Sequence, residues 1–125
     1  MPAYRRTERI NQLLKQEIAT VVREEVRDPR ACSATVTAVQ ASPELDHATV
    51  YVTTLGGDEE RRLAVEGLTS AGSFIRGQLG RSLRLRRIPE LHFEVDRKLE
   101  EAARVERLLR GLGSLQEGGG SGESA

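Results

Sequence analysis

The chain has 125 residues, of which 38% are hydrophobic, and its 19 basic and 19 acidic side chains give a formal net charge of zero. This length fits one domain with one modest core, and no stretch reaches the roughly 18 consecutive apolar residues that a membrane span needs. The charged start shows no secretory signal, and the single cysteine, Cys32, cannot form an internal disulfide, so we expect a cytoplasmic protein without a membrane partner.

The first element is a long amphipathic helix over about residues 6–26. Asp28-Pro29 ends it, because the residue before a proline is pushed out of the α region. Its apolar residues recur at the helical intervals of three and four. They are Ile10, Leu13, Leu14, Ile18, Val21, Val22 and Val26.

Two strands follow, over residues 34–41 and 47–55. The first is rich in β-branched and small residues, and the second alternates apolar and polar residues with period two. Because only the short Pro-containing turn at residues 42–46 separates them, they are expected to form an antiparallel hairpin.

A second helical region begins after Gly56-Gly57-Asp58, breaks, and ends at Ile88-Pro89. The break is predicted at Ala71, Gly72 and Ser73, after which the helical pattern restarts with Phe74, Ile75, Leu79 and Leu83. Residues 90–96 alternate as a third strand, and residues 98–112 follow a helical pattern. The Gly/Ser-rich residues 113–125 are predicted to be a disordered tail.

The order helix, strand, strand, helix, kink, helix, strand predicts an α+β, type II KH-like domain over residues 1–97. Such a domain has a three-stranded sheet with its helices on one face. KH domains hold the nucleic-acid backbone with a GxxG loop, and Gly77-Gln78-Leu79-Gly80 matches that motif. A loop there leaves only about two turns for the following helix, so the break at residues 71–73 is preferred.

No catalytic set and no metal site is evident in the sequence. Cys32, His47 and His92 are the only thiol or imidazole donors, and they are not spaced for a shared site. The three pairs of adjacent glutamates point about 100° apart on a helix, which indicates solvated surface. We therefore expect no enzymatic activity, no cofactor and no small-molecule substrate.

The charge is distributed unevenly along the chain. Residues 67–89 carry five basic and no acidic side chains, whereas residues 31–66 and 90–125 are net acidic. The predicted RNA-binding residues are Arg76, Arg81, Arg84, Arg86 and Arg87. Four of them are expected along one side of the helix after the kink, with Arg86 near its end, where they can contact phosphates. A solvated helix face explains the same charges.

Several segments together resemble the ribosome-binding factor A family of bacterial small-subunit assembly factors. They are residues 26–30, 42–48, 50–52, and the run from Ala71 and Phe74-Ile75-Arg76 through Leu79-Gly80, residues 83–86 and 89–93 to Asp96. The resemblance extends from the first helix to about Leu112. In this family an Ala-x-Gly kink replaces the KH loop, whereas here Gly72 and Ser73 follow Ala71.

The resemblance implies a non-enzymatic factor that binds 16S rRNA in the immature 30S ribosomal subunit. It also implies support of late rRNA processing and a role that matters especially at low temperature. We expect the protein to be a monomer. Two alternatives stay open: a generic KH-type single-stranded RNA binder, and a protein-interaction module that docks through the apolar stripe of helix 98–112.

Overall fold

The computed structural model describes residues 3–121, with side chains described over residues 6–112. The predicted α+β fold class is confirmed. In chain order the elements are α1 (Ala3–Glu24), a 3-10 turn (Pro29–Ala31), β1 (Thr35–Ala41), β2 (His47–Thr53), α2 (Asp58–Ser70), α3 (Gly72–Ser82), β3 (Glu90–Val95) and α4 (Arg97–Ser121). In the described part of the chain, no helix combines the length and apolarity that crossing a bilayer requires.

The sheet has the strand order β1-β2-β3. β1 and β2 form the predicted antiparallel hairpin, whereas β3 runs parallel to β2, with His47 opposite Glu90 and Val52 opposite Val95. A parallel pair needs a long crossover connection, and α2 and α3 provide it. The first three helices therefore pack on the same face of the sheet, as predicted.

The core lies between these helices and the inner face of the sheet. Leu14 and Ile18 of α1 and Ile75 and Leu79 of α3 are fully buried, as is Val50 of β2. A spacing of four residues places each helical pair on one stripe, one turn apart. Full burial of such a side chain contributes about 1.5–3 kcal/mol to stability.

β1 contains a bulge at Thr37, which the pairing of β1 with β2 skips. Val36 and Val39 are consequently both buried although they are three positions apart, whereas strict alternation would expose one of them. The Thr37 hydroxyl donates a hydrogen bond to Oδ2 of Asp96 over 2.5 Å. The bulge thus connects β1 to the residue before α4.

α4 is fixed to the domain at its first turn and exposed beyond it. Oδ1 of Asp96 accepts the backbone N–H three residues later, over 2.9 Å, which caps the helix. Glu100 accepts a hydrogen bond from the Thr53 hydroxyl over 2.5 Å and pairs with Arg61 at 3.1 Å. Residues 101–112 are all exposed.

The C-terminal segment differs from its prediction. The sequence predicts a helix that ends at residue 112 and a disordered tail over residues 113–125. In the structure α4 instead continues to Ser121, and residues 122–125 lie outside the described residues. Extending an existing helix needs no new nucleation step, although each glycine in it costs about 1 kcal/mol relative to alanine.

Candidate nucleic-acid interface

α2 and α3 meet at Ala71, which has φ −87° and ψ 2° and lies between the two helices. Its N–H still donates to the Gly67 carbonyl over 3.1 Å, and its own carbonyl accepts the Ile75 N–H over 2.9 Å. Gly72 and Ser73 open α3, and a Cβ built at Gly72 would meet nothing within 4 Å. The kink therefore keeps its backbone hydrogen bonds and leaves open space beside Gly72.

The C-terminal part of α2 packs closely against the 3-10 turn. A Cβ at Gly67 would lie 2.9 Å from the Cβ of Arg30, so only glycine permits this approach. The Arg30 guanidinium donates to both carboxylate oxygens of Asp28, at 3.1 and 2.8 Å, and to the Ser70 hydroxyl at 3.3 Å. Asp28 and Arg30 thus hold the C-terminal end of α2 in place. The sequence does not reveal this role, because Asp28-Pro29 indicates only the end of a helix.

The side-chain and backbone hydrogen bonds from Arg30 hold the pKa of the Asp28 carboxyl below its usual value. The side-chain hydrogen bond that Arg30 donates to Asp28 is also the main cause of a raised pKa for the Arg30 guanidinium. Both residues are therefore charged around neutral pH, as their ion pair requires.

α3 ends earlier than the sequence predicts. It stops at Ser82, and Leu83 is extended, with φ −108° and ψ 143°. Arg76 and Arg81 lie on α3, but the other three predicted arginines lie in the segment over residues 83–89. The prediction that four arginines share one side of a helix is therefore wrong.

We term residues 83–89 the arginine loop. Its apolar side chains, Leu83, Leu85 and Ile88, pack against the core. The arginines between them, Arg84, Arg86 and Arg87, are exposed. Partly buried apolar residues therefore fix the loop to the domain and leave its guanidinium groups at the surface. The helical-period interpretation fails here because the leucines and arginines also fit the alternation of an extended segment.

Arg76 holds the arginine loop against α3. Its Nε donates to the Pro89 carbonyl oxygen over 3.0 Å and its Nη2 to that of Ile88 over 2.9 Å. The loop consequently runs back beside the helix that precedes it. The sequence predicts Arg76 as an RNA contact, and the structure shows it hydrogen-bonded to the backbone of its own chain, where it positions the loop.

The remaining predicted arginines have guanidinium groups available for a ligand. Within residues 6–112, Arg81, Arg84 and Arg86 form no hydrogen bond or ion pair. Their neighbours along the chain, residues 67–89, include no acidic side chain. A planar guanidinium matches the oxygens of a phosphate, so this surface is suited to a nucleic-acid backbone. The rejected GxxG match, Gly77 to Gly80, lies inside α3.

His47 and His92 lie close together, which their spacing in the sequence does not indicate. Their ring centroids are 5.6 Å apart, and Glu90 lies near both rings. The parallel pairing of β2 with β3 is the cause, and chain spacing gives no signal of it. The two histidines are therefore neighbours in the fold although they lie far apart in the chain.

The family model described as Ribosome-binding factor A matches residues 6–109. The chain belongs to the ribosome-binding factor A family. A family member from Thermomicrobium roseum is 47% identical over 110 residues, covering 88% of this chain and 84% of that protein. A member from Gemmatimonas aurantiaca is 43% identical over 110 residues, covering 87% and 75% of the two chains.

Solved structures of the ribosome-binding factor A family share the fold. The crystal structure of the Thermus thermophilus protein has a TM-score of 0.65 at 30% identity, covering 73% of this chain and 96% of that one. A homology model of the Thermus thermophilus ribosome-binding factor A, fitted into the cryo-EM map of its 30S complex, has a TM-score of 0.56 at 31% identity. It covers 67% of this chain and 88% of that one. The resemblance inferred from the sequence is confirmed.

Proposed function

We propose that this family member binds 16S rRNA of the immature 30S subunit and supports late small-subunit maturation and rRNA processing, with its greatest importance at low temperature. The observation that carries the proposal is the surface of Arg81 and the arginine loop, where Arg81, Arg84 and Arg86 are exposed and form no ion pair within the described residues. The related Thermus thermophilus factor fitted into a 30S complex supports the choice of partner.

Phosphate groups are the proposed targets of the arginines. Arg81, Arg84, Arg86 and Arg87 can each present a bidentate pair of N–H donors to a phosphate, while Arg76 holds the loop and keeps its outer surface exposed. At the kink of Ala71, Gly72 and Ser73, the missing Cβ of Gly72 leaves room for a phosphate to approach the backbone. Residues 1–97 thus form the proposed RNA-binding domain.

The protein acts by binding and not by catalysis, as a cytoplasmic monomer without a small-molecule substrate or cofactor. Its effect on maturation requires tighter binding to a precursor rRNA conformation than to the mature one, because a ligand shifts an equilibrium only through differential affinity. Release then follows when mature contacts replace the conformation that the arginine surface binds.

The test replaces Arg81, Arg84 and Arg86 together with glutamate and measures affinity for purified immature 30S particles. Charge-assisted hydrogen bonds contribute about 1.5–3 kcal/mol each, so the affinity should fall at least about 10-fold for each arginine that binds a phosphate. The charge-matched control replaces the exposed Arg9, Arg23 and Arg27 with glutamate and should bind nearly as the parent does. The assigned surface would be contradicted if both variants lost affinity equally, or if neither variant lost affinity.

A second measurement distinguishes the subunit precursor from RNA in general. The full chain is titrated with immature 30S particles, mature 30S particles and free single-stranded oligonucleotides. We expect the highest affinity for immature 30S particles, a lower affinity for mature 30S particles, and the lowest affinity for the free oligonucleotides. Comparable affinity for all three would favour the generic KH-type RNA binder instead.

The exposed stripe on α4 favours a second candidate, a protein-interaction module. Leu108 and Leu109 are each 62% exposed and Leu112 is 58% exposed, more than a folded domain ordinarily leaves at three neighbouring leucines. Replacing all three with serine should leave binding to immature 30S unchanged if the arginine surface carries it. Loss of binding in this variant, together with partner capture that survives RNase, would support the protein partner.

A further inference from the structure

A cluster of His47, Glu90 and His92 lies at the edge of the sheet where β2 and β3 begin. His47 is opposite Glu90 in the register, and His92 is two residues beyond Glu90, so all three share the solvent-facing side of the sheet. Oε1 of Glu90 lies 3.8 Å from Nδ1 of His47 and 3.6 Å from Nε2 of His92. One donor atom from each residue lies within 4.8 Å of the other two.

We propose that His47, Glu90 and His92 bind one Zn²⁺ ion. Two imidazole nitrogens and a carboxylate oxygen are a zinc ligand set, and three protein ligands leave a fourth position for water. With bonds of about 2.0–2.1 Å, tetrahedral ligands lie roughly 3.3 Å apart. Since all three side chains are exposed, small side-chain rotations close the remaining gap without moving the strands.

The three donors are free to face a metal ion. The distances of 3.6 and 3.8 Å between Glu90 and the two rings exceed a hydrogen-bond length of about 2.7–3.2 Å. The Glu90 carboxylate therefore forms no hydrogen bond with either imidazole ring. The three donors therefore converge without hydrogen bonds among them that a bound cation would have to break.

The backbone beneath the cluster is held in place by the neighbouring turn. The Ser42 hydroxyl accepts the His47 N–H over 3.2 Å, and the Glu90 N–H donates to the Asp46 carbonyl over 2.9 Å. The Asp46 carboxylate lies 3.9 Å from Nε2 of His47, the ring nitrogen that does not face Glu90. That distance exceeds a hydrogen-bond length, so Asp46 does not hold the His47 ring here, although metal-ligating histidines commonly present their second N–H to a carboxylate.

The test is a calorimetric titration of the tag-free full chain with ZnCl₂ and, separately, MgCl₂. All variants carry Cys32→Ser, which removes the exposed thiol as a competing ligand, and the two site histidines are the only histidines in the chain. We expect one Zn²⁺ per chain and no comparable Mg²⁺ binding, because imidazole ligands favour zinc over magnesium.

Three variants each remove one proposed ligand: His47→Ala, His92→Ala and Glu90→Gln. Loss of an outer-shell partner weakens metal binding roughly 10–100-fold, and each of these variants should weaken zinc binding by more than that. The control is Glu94→Gln, since Glu94 is exposed on the same strand face two residues beyond His92 and should leave the affinity unchanged. Unaltered circular dichroism in each variant confirms that the fold survives. Zinc binding that is absent, matched by magnesium, or equal in all variants would overturn the proposal.

Discussion

Arg76 donates a hydrogen bond from Nε to the carbonyl oxygen of Pro89 over 3.0 Å, which joins α3 to the residue immediately before β3. Pro89 is itself buried. The arginine loop therefore has fixed points at both ends, because it leaves α3 at Ser82 and returns to Arg76. An exposed charged segment held in this way loses less conformational entropy on binding than a free loop would.

Replacing Arg76 with alanine should therefore affect both stability and binding. We expect the free energy of unfolding, measured with urea, to fall by about 1 kcal/mol because two backbone carbonyls lose their donor. Amide exchange in residues 83–89 should become faster, and affinity for immature 30S should fall. The control Arg81→Ala should reduce affinity without changing stability. Unchanged exchange in the loop of the Arg76 variant would contradict the positioning role.

Gly67 and Gly77 are expected to respond oppositely to alanine. A Cβ at Gly67 would lie 2.9 Å from the Cβ of Arg30, whereas one at Gly77 would meet nothing within 4 Å. Gly67→Ala should destabilise the protein by about 1–3 kcal/mol through overpacking. Gly77→Ala should stabilise α3 by about 0.4–1 kcal/mol. Denaturant midpoints of the two variants compare them directly, and a stabilising Gly67→Ala would contradict the close approach.

Phe74 and Ile75 are neighbours with different environments. The helical pattern of the sequence assigns both to the apolar stripe, but Phe74 is 45% exposed and Ile75 is fully buried. Ile75→Ala should cost about 2–5 kcal/mol of unfolding free energy because it leaves a cavity. Phe74→Ala should stay near the roughly 0.5 kcal/mol expected of a surface change. Similar losses for the two would place Phe74 in the core.

Asp28 should make stability depend on pH in the acid range. Hydrogen bonds from Arg30 lower the pKa of its carboxyl, so its contribution to stability is present above the unfolded pKa of about 3.9. That contribution is lost as the pH falls through the folded pKa. Asp28→Asn should therefore be less stable than the parent at pH 7, with the difference shrinking below about pH 4.

Urea midpoints between pH 7 and pH 3 test this expectation. The control Glu44→Gln, at an exposed position in the β1–β2 turn, should follow the parent curve throughout. If the difference between parent and Asp28→Asn is the same at every pH, the ion pair with Arg30 does not contribute as inferred.

Binding of immature 30S should weaken with salt in proportion to the number of phosphates contacted. The logarithm of affinity falls by about 0.7–0.9 per phosphate for each unit of log salt concentration. Contacts from four arginines thus predict a slope of about −3. The triple glutamate variant at Arg81, Arg84 and Arg86 should have a much flatter slope. A parent slope near zero would show that phosphates are not the ligand.

Local patterns in the sequence predict most of the elements. α1, the β1–β2 hairpin and the break at Ala71 follow from helical and strand periods, proline and small residues. The early end of α3 does not, because residues 83–88 fit two periods. Tertiary contacts decide between them, namely the packing of Leu83, Leu85 and Ile88 on the core and the hydrogen bonds from Arg76. The pairing of β2 with β3 is also absent from local patterns, and with it the juxtaposition of His47 and His92.

The bulge at Thr37 matters more for the start of α4 than for the burial of β1. Removing Thr37 would leave Val36 and Val39 two positions apart, the spacing at which regular alternation keeps both side chains on the inner face of the sheet. It would, however, remove the hydroxyl that donates to Asp96, the residue before α4. Related chains that share this architecture are therefore expected to lose the bulge only where another group holds the start of α4.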